Sequence, residues 1–155
     1  MPRPATISPA IVEALYDDAL LLAEEARIAF GDRARMEPLS DAACERRVAL
    51  SCEALRTTTR MMHAIAWLLN HRAFFAGEMT EFQLRRHGRL PPAQGDSDPA
   101  QLLMLDFAAR DVVDRSRAFY ARIARLDRAW RDRFDMQPSA VHRLRDRLGA
   151  AFAVG

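Results

Sequence analysis

A single row of residues between positions 44 and 76 constrains this chain more than any other feature. Cys44, Val48, Ser51, Leu55, Thr58, Met62, Ile65, Leu69 and Ala76 follow helical spacing, mostly in alternating steps of four and three, and only Arg72 breaks the apolar or small set. Such spacing keeps one face of an α-helix against a partner. A second row, Leu50, Ala54, Met61, Ala64, Leu68 and Phe75, lies beside it and makes the apolar face wide enough for more than one neighbour. Ser40 is placed to cap this helix, with Asp41 in the first turn complementing the helix dipole. Leu39 and Cys44 stand at the two ends of a possible hydrophobic staple. The pattern predicts a helix over about 41–76, stopped by Gly77 in a left-handed conformation.

The rest of the chain reads as helices around this one. Ser8-Pro9 is a cap followed by proline at the first helical position, and opens helix one, over about 9–30. Ile11, Leu15, Ala19, Leu22, Ala26 and Phe30 form its expected buried face. Leu20, Leu21 and Leu22 cannot all enter one core, so neighbours wrap the helix or Leu20 and Leu21 supply a dimer contact. Thr80-Glu81-Phe82-Gln83 matches a capping box and predicts a short helix over about 81–87. The segment GRLPPAQGDSDP, residues 88–99, is a long crossover. Helix three is expected over about 100–134, with Val112, Ser116, Phe119, Ile123, Leu126 and Trp130 as a second heptad seam. Asp111 with Arg115 and Asp114 with Arg117 are local charge partners at helical spacing. A short helix over about 139–149 closes the pattern, so residues 1–155 are expected to form one domain. Scarce glycine, few β-branched residues and abundant Ala, Leu, Arg and Glu agree on an all-α class. The triplet Thr57–Thr59 is unusual in a helix; its hydroxyls either bond back one turn or meet a close neighbour.

Charge bounds the function. All 23 basic residues are arginine, so lysine Schiff-base chemistry is excluded and every side-chain cation other than a histidine is a planar bidentate donor. Residues 1–60 carry 8 Arg against 10 acids, and residues 110–147 carry 11 Arg against 6 acids. The basic C-terminal third either pairs with acidic helix one or meets nucleic acid or an acidic protein surface. No zinc-finger or RNA-recognition signature accompanies it, which weighs against nucleic acid. Cys44 and Cys52 are eight residues apart on one helix, roughly 12 Å, too far for a disulfide. That fits a reducing cytoplasm. No run of about 18 apolar residues is present, so no membrane insertion is expected. The four histidines form no HExxH or ExxH pair, no phosphate-cradling glycine motif occurs, and no G-x-S-x-G elbow is present. The chain is therefore expected not to be an enzyme and to need no cofactor or metal.

Four stretches carry a family resemblance: LLLAEEARIAFGDR at 20–33, RTTTRMMHAIAWLLNHRAFFAGEMT at 56–80, RIARLDR at 122–128 and VHRLRDRLGAAF at 141–152. Together they resemble the regulator of CtrA degradation (RcdA) family of small alphaproteobacterial cell-cycle proteins. The resemblance implies a dimeric three-helix bundle with no enzymatic activity, and the long helices are expected to pack antiparallel. It also implies an adaptor that bridges response-regulator-type partners and a ClpXP-type protease–unfoldase, so that a client transcription factor is destroyed. On this reading Arg122, Arg125 and Arg128 are the expected partner-binding residues, with Asp127 a local salt-bridge partner. The alternative is a small nucleic-acid-associated regulator using the same basic face.

Overall fold

A computed structural model of the chain describes residues 7–31 and 40–135, with 134 and 135 as backbone only, and positions 144, 147 and 148. It contains α1 (Pro9–Gly31), α2 (Asp41–Phe75), α3 (Glu81–His87), α4 (Pro99–Leu103) and α5 (Phe107–Asp135), and no strand among the described residues. The protein is all-α, and three long helices, α1, α2 and α5, pack pairwise. Of the helix expected over 139–149, positions 144, 147 and 148 are described and helical. The remainder of that segment, the leader 1–6 and the loop 32–39 with its staple residue Leu39 lie outside the described residues.

The helix ends follow local chemistry. Ser8 Oγ accepts from the Ile11 amide at 3.3 Å and Ser40 Oγ from the Ala43 amide at 3.1 Å. Both bonds of the capping box at Thr80 and Gln83 are made. Gly77 has φ 78°, the left-handed conformation that lets the chain leave α2 without a Cβ clash. The expected single helix over 100–134 is instead two. Asp98 caps α4, with Pro99 in its first turn, and Asp106 Oδ1 accepts from the Ala109 amide at 2.8 Å to start α5. A second side-chain cap eight residues after the first offers the backbone a new helix start, and Met104 and Leu105 turn between the two.

Helix direction follows from interhelical contacts. Arg72 pairs with Glu13, whereas Thr58 and Ala26 line a common groove, so α1 and α2 are antiparallel. Arg60 meets Ser116 and Trp67 meets Asp127; both numbers rise together, so α2 and α5 run parallel. The antiparallel expectation thus holds for α1 against α2 and fails for α2 with α5, because the crossover through α3 returns the chain to the starting end of α2.

The core joins Val12, Leu15, Ala19 and Leu22 of α1 to Met61, Ala64, Trp67 and Leu68 of α2, with Leu84 of α3 and Tyr120, Ile123 and Trp130 of α5. Each large apolar side chain buried there contributes about 2 kcal/mol. The α5 seam lies inward as its spacing predicts: Val112, Ser116, Ile123 and Trp130 are buried and Phe119 and Leu126 half-buried.

The α2 seam does not. Val48, Leu55, Met62 and Leu69 are 56%, 68%, 61% and 44% exposed. The row that enters the core is Glu53, Thr57, Arg60, Ala64, Trp67 and His71, all buried, flanked by Met61 and Leu68 of the second apolar row. This inner row also steps four, three, four, three, four. Both faces of α2 therefore carry heptad spacing, and hydrophobicity alone selects the outer one. Buried polar groups are tolerated on the inner face because partners on α5 and the crossover meet most of them.

Candidate functional site

Two surfaces stand out, on opposite sides of α2. The first is its outer face. From Val48 to Leu69 the four exposed apolar residues recur every seven positions, a stripe roughly 32 Å long. Two hollows lie beside it. Met62, Thr58 and Ile65 line an apolar groove of about 450 Å³ against Ala23 and Phe30 of α1. Cys44 and Val48 line another of about 420 Å³ against Ala100 and Met104. Arg72, the residue that breaks the seam, turns toward α1: its Nε donates to Glu13 Oε1 at 2.7 Å and its guanidinium stacks 4.4 Å from the Tyr16 ring centre. That pairing raises the Arg72 pKa, with the hydrogen bond to Glu13 the main cause.

The second surface is a cleft of about 570 Å³ between α5 and the crossover segment 90–96. Three side-chain tethers hold the crossover in place. Ser97 Oγ donates to Glu53 Oε2 at 2.8 Å, the Tyr120 hydroxyl donates to the Pro91 carbonyl, and Arg117 Nη2 donates to Asp96 Oδ1 at 2.9 Å. Burial raises the Tyr120 pKa, and the nearby Asp127 carboxylate adds to the effect. At the base of the cleft, Arg60 Nη1 donates to Ser116 Oγ at 2.7 Å, while the Ser116 hydroxyl donates to the Val113 carbonyl. Burial lowers the Arg60 pKa and Arg117 lowers it further; Glu53 opposes both. Trp67 Nε1 donates to Asp127 Oδ1 at 3.0 Å, and Arg131 pairs with the other Asp127 oxygen.

Beside this network, His71 is buried and its Nδ1 lies 3.0 Å from the Trp67 carbonyl. A carbonyl only accepts, so Nδ1 carries the proton and Nε2 is left as a buried acceptor without a partner. Burial lowers the His71 pKa against the opposing pull of the Trp67 carbonyl and Asp127. The Thr57 hydroxyl is likewise buried without a partner, so it does not bond back one turn.

Arg125 and Arg128 line the cleft; Arg122 does not. Arg125 and Arg128 are exposed and make no hydrogen bond or ion pair among the described residues. Leu20 and Leu21 are both exposed. Leu20 shares the α1 edge with Tyr16 and Ala23, beside α2, while Leu21 lies about 100° further round the helix. Internal pairing of basic α5 with acidic α1 occurs at Arg115, which meets Glu25 as well as Asp111. Arg117 pairs with Asp96 rather than with the expected Asp114. Asp127, expected as a local salt-bridge partner among Arg122, Arg125 and Arg128, pairs locally with Arg131, and its bond to Trp67 across two helices is one the sequence reading missed. Polar residues at heptad spacing on α2 were the available signal. Cys44 and Cys52 are free thiols. Among the described residues no three His, Cys, Asp or Glu gather as a metal site, and no helix is long and apolar enough to cross a membrane.

The profile of a protein family described as "Protein of unknown function (DUF1465)" matches residues 4–152. No curated protein and no solved structure matches the chain.

Proposed function

The chain belongs to the DUF1465 family, and we propose that it is a non-enzymatic protein-interaction module, an adaptor in regulated proteolysis. The observation that carries this reading is the outer face of α2: a heptad seam on a 35-residue helix whose Val48, Leu55, Met62 and Leu69 are exposed among the described residues, with α1 and α4 meeting only its edges. Long apolar stripes exposed to water are costly, and they mark surfaces that another chain covers. Heptad spacing further specifies a helical partner, since knobs every seven residues fit holes on a second helix. The seam, with Leu20 at its α1 edge, is the self-association surface. The arginines of α5, Arg122, Arg125 and Arg128, remain available to an acidic partner surface, and an adaptor requires two such surfaces.

The resemblance to RcdA proteins supplies the biological setting: response-regulator-type partners, a ClpXP-type protease–unfoldase and a client transcription factor. The test has two parts. Sedimentation of the wild type and of Leu55→Glu/Met62→Glu measures self-association; the wild type is expected to be a dimer and the variant a folded monomer. Both positions are exposed, so the substitutions should leave stability within about 0.5 kcal/mol. A tagged pull-down from native lysate, with and without nuclease, then identifies partners. Protease–unfoldase or response-regulator subunits retained after nuclease support the adaptor reading. Partners that disappear with nuclease favour the nucleic-acid regulator, and a wild-type monomer refutes the seam as a dimer contact.

A further inference from the structure

We infer that the cleft between α5 and the crossover segment is a binding site for a small ligand bearing more than one phosphate charge. Five guanidinium groups line it: Arg60, Arg117, Arg125, Arg128 and Arg131. Two carboxylates share the space and are already committed, Asp96 to Arg117 and Asp127 to Arg131 and Trp67. Arg60, Arg125 and Arg128 have no carboxylate partner within the cleft. The cleft therefore holds more cationic than anionic groups, and an anion entering it meets a favourable field.

Arg60 is the decisive group. It is only 9% exposed, and among the described residues its side chain hydrogen-bonds to a neutral hydroxyl, Ser116. Glu53, the buried carboxylate whose charge acts on Arg60, is held by Arg56 at 2.7 Å and Ser97 at 2.8 Å. A buried cation with a neutral partner is expensive, and Arg60 lines the cleft. Arg125 and Arg128, both exposed, line the same cleft from α5. Planar guanidinium forks match the geometry of phosphate oxygens and bind them bidentately. A compact diphosphate concentrates several charges where this geometry concentrates cations, whereas peptide carboxylates carry single charges spaced along a chain. The volume, about 570 Å³, falls within the roughly 300–1,000 Å³ of small-molecule sites. The three tethers fix the crossover before any ligand arrives, which removes an ordering cost from binding.

Calorimetric titration with inorganic pyrophosphate and with adenosine diphosphate at fixed ionic strength tests the site. Saturable one-to-one binding is expected. Arg125→Glu/Arg128→Glu should weaken it roughly a hundredfold, about tenfold for each charge-assisted contact. Arg125→Gln/Arg128→Gln, which removes charge without reversing it, should also weaken binding. Arg122→Glu, outside the cleft, should leave affinity within about twofold, and Leu55→Glu/Met62→Glu should leave it unchanged because the site does not depend on association through α2. Tighter binding of the nucleotide identifies an organic phosphate, and equal affinity identifies free pyrophosphate; both support the site. Absence of saturable heat with either probe at millimolar concentration overturns it. So does equal weakening by Arg122→Glu, which would mark diffuse charge attraction, or preferential capture of a poly-glutamate peptide.

Discussion

Replacing Asp127 tests whether the polar inner face of α2 is held to α5 by specific bonds. Asp127 is 2% exposed and joins two groups: Trp67 across the α2–α5 contact and Arg131 one turn away. In Asp127→Ala the Trp67 Nε1–H loses its acceptor in a dry interior, which costs about 1–3 kcal/mol. The side chain of Arg131 is 35% exposed, so water resolvates it and the lost ion pair adds at most about 1 kcal/mol. The expected total is about 3 kcal/mol. Asp127→Asn keeps an oxygen for Trp67 and removes only the charge, so its expected cost is about 1 kcal/mol. For a chain of this length 1 kcal/mol corresponds to roughly 2–4 °C in Tm. Thermal melts followed by circular dichroism should therefore place Asp127→Ala roughly 6–12 °C and Asp127→Asn roughly 2–4 °C below the wild type. In a Trp67→Phe background the alanine substitution should cost distinctly less, because no indole donor is left stranded. Equal melting of the two Asp127 variants, or an unchanged cost in the Trp67→Phe background, would refute the bond as the source of the effect.

Three further outcomes follow from the same interior. Thr57→Val removes a buried hydroxyl without a partner at nearly constant volume and should be neutral or raise stability by about 1 kcal/mol in urea unfolding. Gly88→Ala would place a Cβ 2.7 Å from the Leu84 carbonyl and 2.5 Å from Leu84 Cδ1; because Leu84 is buried in the core, a loss of about 1–3 kcal/mol is expected in the same assay. His71 has its folded pKa below the ordinary histidine value of 6.5, so the unfolded chain takes up this proton first as pH falls. Stability from this group is full above about pH 6.5 and declines below it, by at most about 1.4 kcal/mol per pH unit; His71→Phe should flatten that part of the stability profile.

The comparison of α2 with α5 separates what can be read from the chain from what cannot. Both carry an apolar row at heptad spacing. On α5 the row from Val112 to Trp130, with Val113 and Tyr120 beside it, stands against arginine-rich outer positions, and it lies inward. On α2 the pattern is ambiguous, since the row with Glu53, Arg60 and His71 has the same period and reads as a surface. Only the positions of Ser97, Ser116 and Asp127, 44, 56 and 60 residues away from their partners, show that these polar groups have somewhere to bond. The cleft was half legible: Arg125 and Arg128 were named from charge, Arg60 was not, because nothing local marks an arginine as buried.

The sequence by itself determined the helical class, the caps at Ser8, Ser40 and Thr80, the left-handed exit at Gly77 and the inward face of α1 and α5. These depend on contacts within a few residues or on a single apolar face. The tertiary structure decided which face of α2 is interior, the parallel course of α2 and α5, and the grouping of five arginines in one cleft. Those outcomes depend on which distant donors and acceptors meet, and periodicity carries no information about a residue's distant partner.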